Sequence, residues 1–209
     1  MTICRRPFLY KAEEYQVLTV GTGNLQWRML ECSVDHIPLR REICIDGMLY
    51  YSARDTEYNN MLVCFNVKQE KFNFIKNNDF GFPTTLINYK GKLGGIRCSP
   101  TTFIDGTAES FELWVIEDTE EHKLSKLVHI LPPRWKELVA ETEVCIVGII
   151  NGTTEVVFAP NVLSDPFYIF HLDMERNSIK KVQIQGLGPV RGQSIYTFLN
   201  HVENVNLIM

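Results

Sequence analysis

Val63-Cys64-Phe65-Asn66-Val67-Lys68-Gln69-Glu70-Lys71-Phe72-Asn73-Phe74-Ile75 is the stretch on which the reading of the fold turns. Its two ends are short runs of valine, isoleucine and aromatic residues, the composition that suits a pleated, half-buried strand. A polar break of a few residues between two such runs reads as a hairpin. The same shape returns in Tyr168-Ile169-Phe170-His171-Leu172-Asp173-Met174-Glu175-Arg176-Asn177-Ser178-Ile179-Lys180-Lys181-Val182. In both, an asparagine or aspartate stands at or near the start of the turn, where its side chain can bond the backbone ahead of it.

Working outward, strands are expected at Tyr15–Gly21, Trp27–Cys32, Glu42–Ile45, Met48–Ser52, Met61–Val67, Lys71–Ile75 and Thr85–Tyr89. They continue at Phe111–Glu117, Lys126–Leu131, Val144–Ile150, Glu155–Ala159, Phe167–Leu172, Ile179–Ile184 and Ser194–Leu199. Asp46-Gly47 and Asn151-Gly152 are hairpin signals, because both residue types accept the positive φ of a type I′ turn. Pro133 followed by Trp135, Leu138 and Val139 carries helical spacing, so one short helix is expected there.

Strand–glycine–strand units precede each hairpin: Ile43–Tyr50 around Gly47, Leu86–Leu93 around Gly91, and Cys145–Gly148 leading into Gly152. Leu18, Phe65, Trp114 and Phe170 recur at intervals of about fifty residues, and four strands per repeat of that length is the pattern of propeller blades. The expectation is an all-β, partial β-propeller built from four-stranded antiparallel blades. It is a single domain over 1–209, with a partial blade at 1–35, blades at about 36–79, 80–138 and 139–187, and a terminal strand in 188–209. Three blades and a fraction lie at the low end of the usual range, which predicts an open arc with exposed inter-blade faces prone to self-association.

Hydrophobic residues make up 45% of the 209 residues and charged residues 22%, the balance of a folded chain. The net charge of -4 lacks the basic footprint of a nucleic-acid binder, so none is expected as partner. No run approaches the ~20 apolar residues that cross a bilayer, and no membrane role is expected. The first residues, Met1-Thr2-Ile3-Cys4-Arg5-Arg6-Pro7, do not form a secretory leader, which points to the cytoplasm or nucleus. The six cysteines are scattered without a CxxC pair, so metal clips are not expected, and Cys44, Cys64 and Cys145 read as buried thiols inside apolar runs. Asn151-Gly152-Thr153 reads as a turn.

No catalytic constellation emerges. Gly21-Thr22-Gly23 lacks the third glycine and following helix of a nucleotide fingerprint, and Lys90-Gly91-Lys92 lacks the upstream glycine of a phosphate loop. His36, His122, His129, His171 and His201 show no metal-ligand spacing, and no Gly-x-Ser-x-Gly elbow exposes a nucleophile. Glu117–Lys123 reads as a solvated turn. The partner-binding candidates are the loop aromatics Phe80, Phe82 and Phe103, since aromatics tend to dominate contact energy. Trp27, Phe65, Phe72, Trp114 and Phe170 are expected to pack the core.

The runs Cys44–Tyr51, Met61–Val67, Glu70–Ile75, Ile87–Leu93, Glu112–Asp118 and His201–Val205, in that order, resemble the F-box-associated domain, type 3, of plant F-box proteins. The resemblance covers the chain from about Tyr15 onward. It implies a propeller-like β domain that normally follows an N-terminal F-box and holds a protein substrate for an SCF-type ubiquitin ligase. From the residues themselves no catalysis, cofactor or metal is expected. The F-box that docks on the ligase adaptor is a helical module, and no such segment precedes Tyr15, so adaptor binding by this chain is not expected. The partner is a protein substrate whose identity the sequence leaves open. The alternatives are a stand-alone β-propeller scaffold unconnected to ubiquitin and a truncated remnant with little function.

Overall fold

The computed structural model describes residues 2–3, 14–19, 26–76, 84–98, 103–118, 123–188 and 191–199. The chain divides into two compact units, one within Met1–Phe82 and one within Pro83–His201.

In the first unit, β1 (Thr2–Ile3), β2 (Tyr15–Leu18) and β3 (Trp27–Leu30) form a three-stranded antiparallel sheet in chain order. Next come β4 (His36–Ile45), β5 (Met48–Asp55), β6 (Asn60–Asn66) and β7 (Lys71–Lys76), a four-stranded meander. Asp46 and Gly47 take φ of 48° and 77°, both positive, as a type I′ hairpin between β4 and β5 requires. Pro38 lies in β4, an edge strand, where a missing N–H costs no ladder bond, and the register shifts between it and Glu42. The β6–β7 turn is held by Asn66, whose Oδ1 accepts from the Lys68 and Gln69 N–H groups at 3.0 and 2.9 Å. Met61 to Phe65 are buried on both faces of β6, so this strand reads as a continuous apolar run instead of alternating.

The two sheets of this unit meet through rings. Tyr15 stacks on His36 with centroids 5.1 Å apart and sets its edge against Phe72 at 5.3 Å. Phe74 approaches His36 at 5.6 Å. Tyr51, Ala53, Met61 and Val63 complete the cluster.

The second unit repeats the meander twice. β8 (Thr85–Tyr89), β9 (Lys92–Arg97), β10 (Ser110–Asp118) and β11 (Lys123–Ile130) form one sheet, and β12 (Cys145–Ile149), β13 (Glu155–Ala159), β14 (Phe167–Asp173) and β15 (Ser178–Ile184) form the other. Every neighbouring pair is antiparallel. In the β14–β15 turn Asp173 plays the part of Asn66, accepting from the Glu175 and Arg176 N–H groups at 3.0 and 3.1 Å. α1 (Arg134–Val139) lies between the two sheets in sequence and buries Trp135 and Val139. One core joins all three: Phe111 and Leu113 from β10, Phe158 and Phe170 from β13 and β14, and Trp135 from α1. Trp135 meets Phe158 edge to face at 4.8 Å, and Phe111 meets it at 6.2 Å, a favourable geometry for quadrupolar rings.

The architecture is thus three four-stranded antiparallel sheets preceded by a three-stranded one, all-β as expected, with one short helix among the described residues where Pro133 places it. Several details differ from the sequence reading. Gly152 takes a φ of 76° but Asn151 is not among the residues of positive φ, so the turn between β12 and β13 is not of type I′. Ser194–Leu199 is no strand, and makes only the bridge between Ser194 and Val162. Trp27 is half exposed and does not pack the core, while Phe72 and Trp114 are only partly buried beside the fully buried Phe65 and Phe170. Cys44 is exposed and Cys145 partly buried, because strand alternation turns Ile45 inward and Cys44 outward. Lys92–Arg97 is a full strand, whereas the strand–glycine–strand reading reaches only Leu93.

Candidate functional site

Phe80 and Phe82 lie outside the described residues, as do His122 and His201. Phe103 is described, with 39% of its surface exposed. It begins a segment that is clamped against α1 and its exit. Ile104 exchanges two backbone hydrogen bonds with Val144, at 2.9 and 2.8 Å, and the Gly106 N–H donates to the Ala140 carbonyl at 2.7 Å. The Trp135 indole N–H donates to the Asp105 carbonyl at 2.8 Å. Asp105 closes its own turn by accepting from the Thr107 hydroxyl and N–H, which hold its carboxyl below the usual range. A residue with a side chain does not fit at Gly106: its Cβ would stand 2.6 Å from the Ala140 carbonyl oxygen. The result is an exposed aromatic on a fixed backbone, the arrangement that lets a loop recognise a partner at low ordering cost.

A second surface lies on the neighbouring sheet. Glu112 on β10 bridges Arg97 on β9 at 2.8 Å and Lys126 on β11 at 2.5 Å. Those bonds, Lys126 first and Arg97 second, hold the Glu112 carboxyl below its ordinary range. Trp114 lies beside them, with the Lys126 ammonium 4.6 Å and the Arg97 guanidinium 5.7 Å from its ring. Glu117 forms a further ion pair with Lys92 and accepts from the Ser125 hydroxyl at 2.9 Å. These exposed and half-exposed pairs stitch β9, β10 and β11 together; each contributes little alone.

The one cysteine–histidine approach among the described residues is Cys32 Sγ to His36 Nδ1 at 3.9 Å. A catalytic pair of this kind needs a depressed thiol and a protonated imidazole. Here burial pushes the Cys32 thiol up and the His36 imidazole down, so both stay neutral. His171 faces Glu155 at 3.5 Å and His129 faces Asn177 at 3.2 Å, without a nucleophile between them. Among the described residues no three His, Cys, Asp or Glu side chains gather as a metal would need. No described helix is long and apolar enough to cross a membrane.

Sequence reasoning missed the Arg97–Glu112–Trp114–Lys126 cluster and the His36 ring cluster. Their members come together only through strand register, which local motifs do not encode.

Four-stranded antiparallel meanders that recur three times along the chain define a repeat-built β module. The sequence model of the F-box associated beta propeller domain family matches residues 1–202, and the chain belongs to that family. F-box protein At3g49450 of Arabidopsis thaliana is 56% identical over 211 residues, covering 100% of this chain and 52% of that relative. F-box protein DOR of the same plant is 42% identical over 198 residues, covering 94% of this chain and 50% of that relative. The chain therefore spans about half the length of the curated relatives it matches. The family is a protein-interaction domain and not a known class of enzyme.

Proposed function

We propose that this chain is a non-catalytic protein-binding module that presents a protein substrate to an SCF-type ubiquitin ligase, working in the cytoplasm or nucleus. The observation that carries the reading is the family match along nearly the whole chain, together with relatives whose names all carry the F-box. Phe103 is the proposed anchor, supported by its exposure on a clamped backbone, with Phe80 and Phe82 as further loop candidates. Nucleic acid is not a proposed partner, given the net charge of -4. Neither is a membrane. Direct contact with the ligase adaptor is not proposed for these sheets.

The test has two stages. The tagged chain is captured from plant cells with the proteasome blocked, and its partners are identified by mass spectrometry. Each partner is then offered to a reconstituted ligase in which this region is joined to an F-box. Ubiquitin chains that require the β region, and that decline with Phe103→Ala, are expected. Partners that gain no ubiquitin would overturn the ligase half of the reading, and capture of no partner would overturn the binding half.

A further inference from the structure

Among the described residues, the three-stranded sheet ends on β3, where the charged Arg28, paired with Glu70, stands between the exposed Trp27 and Met29. Among the same residues, the last strand of each four-stranded sheet has one unpaired edge: β7, β11 and β15. Such an edge is a template for another strand, and proteins commonly blunt it with charge, lysine above all. Two of these edges are blunted. The exposed positions of β7 are Lys71, Asn73 and Lys76, and on β15 the exposed Val182 is flanked by Lys180, Lys181 and Gln183. β11 differs. Leu127, Val128 and Ile130 are 53%, 50% and 63% exposed, and no formal charge stands among residues 127–130.

The direction of the free backbone groups follows from one hydrogen bond. The Leu131 N–H donates to the Glu109 carbonyl at 2.8 Å, on the β10 side. Backbone groups alternate sides along an antiparallel strand, so those of Lys126, Val128 and Ile130 point away from β10 to the open edge. Pro132 and Pro133 follow at once and end any pairing there.

We infer that β11 is a docking edge for a second copy of this chain, with the two strands pairing antiparallel about a two-fold axis at Val128. That register is self-complementary. Val128 meets its own copy, Lys126 meets Ile130, and Leu127 meets His129, so no like charges oppose each other. Lys126 is already neutralised by Glu112 and can lay its aliphatic stem along Ile130. His129 faces Asn177 and Phe111, and burial pushes its imidazole toward the neutral form. An isologous pairing of this kind joins two four-stranded sheets into one of eight and closes the dimer.

A five-residue contact is small, so the dimer is expected to be weak and to form in the micromolar range. The test is sedimentation of the full chain over a range of concentrations. A monomer–dimer equilibrium is expected, weakened by about tenfold or more in Val128→Lys and unchanged in Val182→Lys. Circular dichroism confirms that each variant is folded. Val128→Cys under mild oxidation reads the register directly: a disulfide-linked peptide that joins position 128 of one copy to position 128 of the other is expected by mass spectrometry. A chain that stays monomeric throughout, a dimer indifferent to Val128→Lys, or linked peptides that join other cysteines instead would overturn the inference.

Discussion

The Tyr51 hydroxyl donates to His36 Nε2 across 2.8 Å, deep between the three-stranded sheet and the meander that follows it. The other ring nitrogen lies 2.8 Å from the Val34 carbonyl. A carbonyl only accepts, so Nδ1 carries the proton and Nε2 is the acceptor. The imidazole is neutral, and desolvation by burial holds its pKa below the ordinary 6.5.

The consequence is a fold that loses stability in mild acid. Tyr15, Tyr51 and Cys32, which face the ring, are pushed upward and stay neutral, and Asp35 is the nearby charge. Above pH 6.5 neither the folded nor the unfolded histidine holds a second proton. As pH falls through 6.5 toward the lower folded value, the unfolded chain gains a proton that the folded chain refuses, so stability declines. Urea midpoints are expected to fall between about pH 7.5 and about pH 5, with a shallower fall in His36→Gln. His129 is shifted in the same direction and contributes with the same sign, so His129→Gln is the companion variant. A wild-type midpoint that stays level over that range would count against the account.

Phe158 is fully buried where the two sheets of the second unit meet α1, in contact with both Trp135 and Phe111. Replacing it with alanine removes a ring that its neighbours cannot collapse to fill. Phe158→Ala is expected to cost about 3–5 kcal/mol in urea denaturation, close to the whole stability of a marginal domain.

What the sequence reveals here is chemistry that acts locally. Asn66 and Asp173 close their turns through bonds to residues two and three positions on, and Asp46-Gly47 makes its turn through its own backbone preferences. These read directly. The face of a strand does not: alternation places Cys44 opposite Ile45, but cannot say that Trp27 faces outward. β9 is hidden by its own glycines. Gly94 reads as a strand breaker, yet a Cβ there would stand 2.7 Å from the Trp114 carbonyl, so the sheet demands glycine in mid-strand. The candidate site is legible only as an aromatic at Phe103. The clamp that fixes it, from Gly106 to Ala140 and from Trp135 to Asp105, spans roughly thirty residues of sequence and depends on the fold.

Gly106 and Gly91 should respond to alanine for different reasons. At Gly106 the new Cβ would meet two backbone oxygens, at 2.6 Å from Ala140 and 2.9 Å from Lys136, and neither can swing aside. At Gly91 nothing lies within 4 Å, but φ is +85°. Gly91→Ala is expected to cost about 1–2 kcal/mol of backbone strain alone. Gly106→Ala is expected to cost up to about 3 kcal/mol and also to loosen the Phe103 segment. Hydrogen exchange at the Ile104 and Gly106 amides separates the two, rising in Gly106→Ala and unchanged in Gly91→Ala.

Thiol reactivity tests the burial pattern residue by residue. The thiolate is the nucleophile, so a cysteine is slow to alkylate when its sulfur is covered and again when its pKa is raised. Burial does both to Cys64 and Cys98, whose thiols are pushed up to about 12. Cys32 is partly buried, raised by the same cause, and donates to the Val34 carbonyl at 3.3 Å. Cys145 is partly buried and donates to the Ala159 carbonyl at 3.4 Å. Cys44 is exposed. In a time course with iodoacetamide, read by peptide mass spectrometry, Cys44 is expected to be modified first among these five. Cys64 and Cys98 should remain unmodified until urea unfolds the chain. If Cys98 reacted as fast as Cys44 in the native protein, the sheet that buries it against Phe111 and Val144 would not be packed as described.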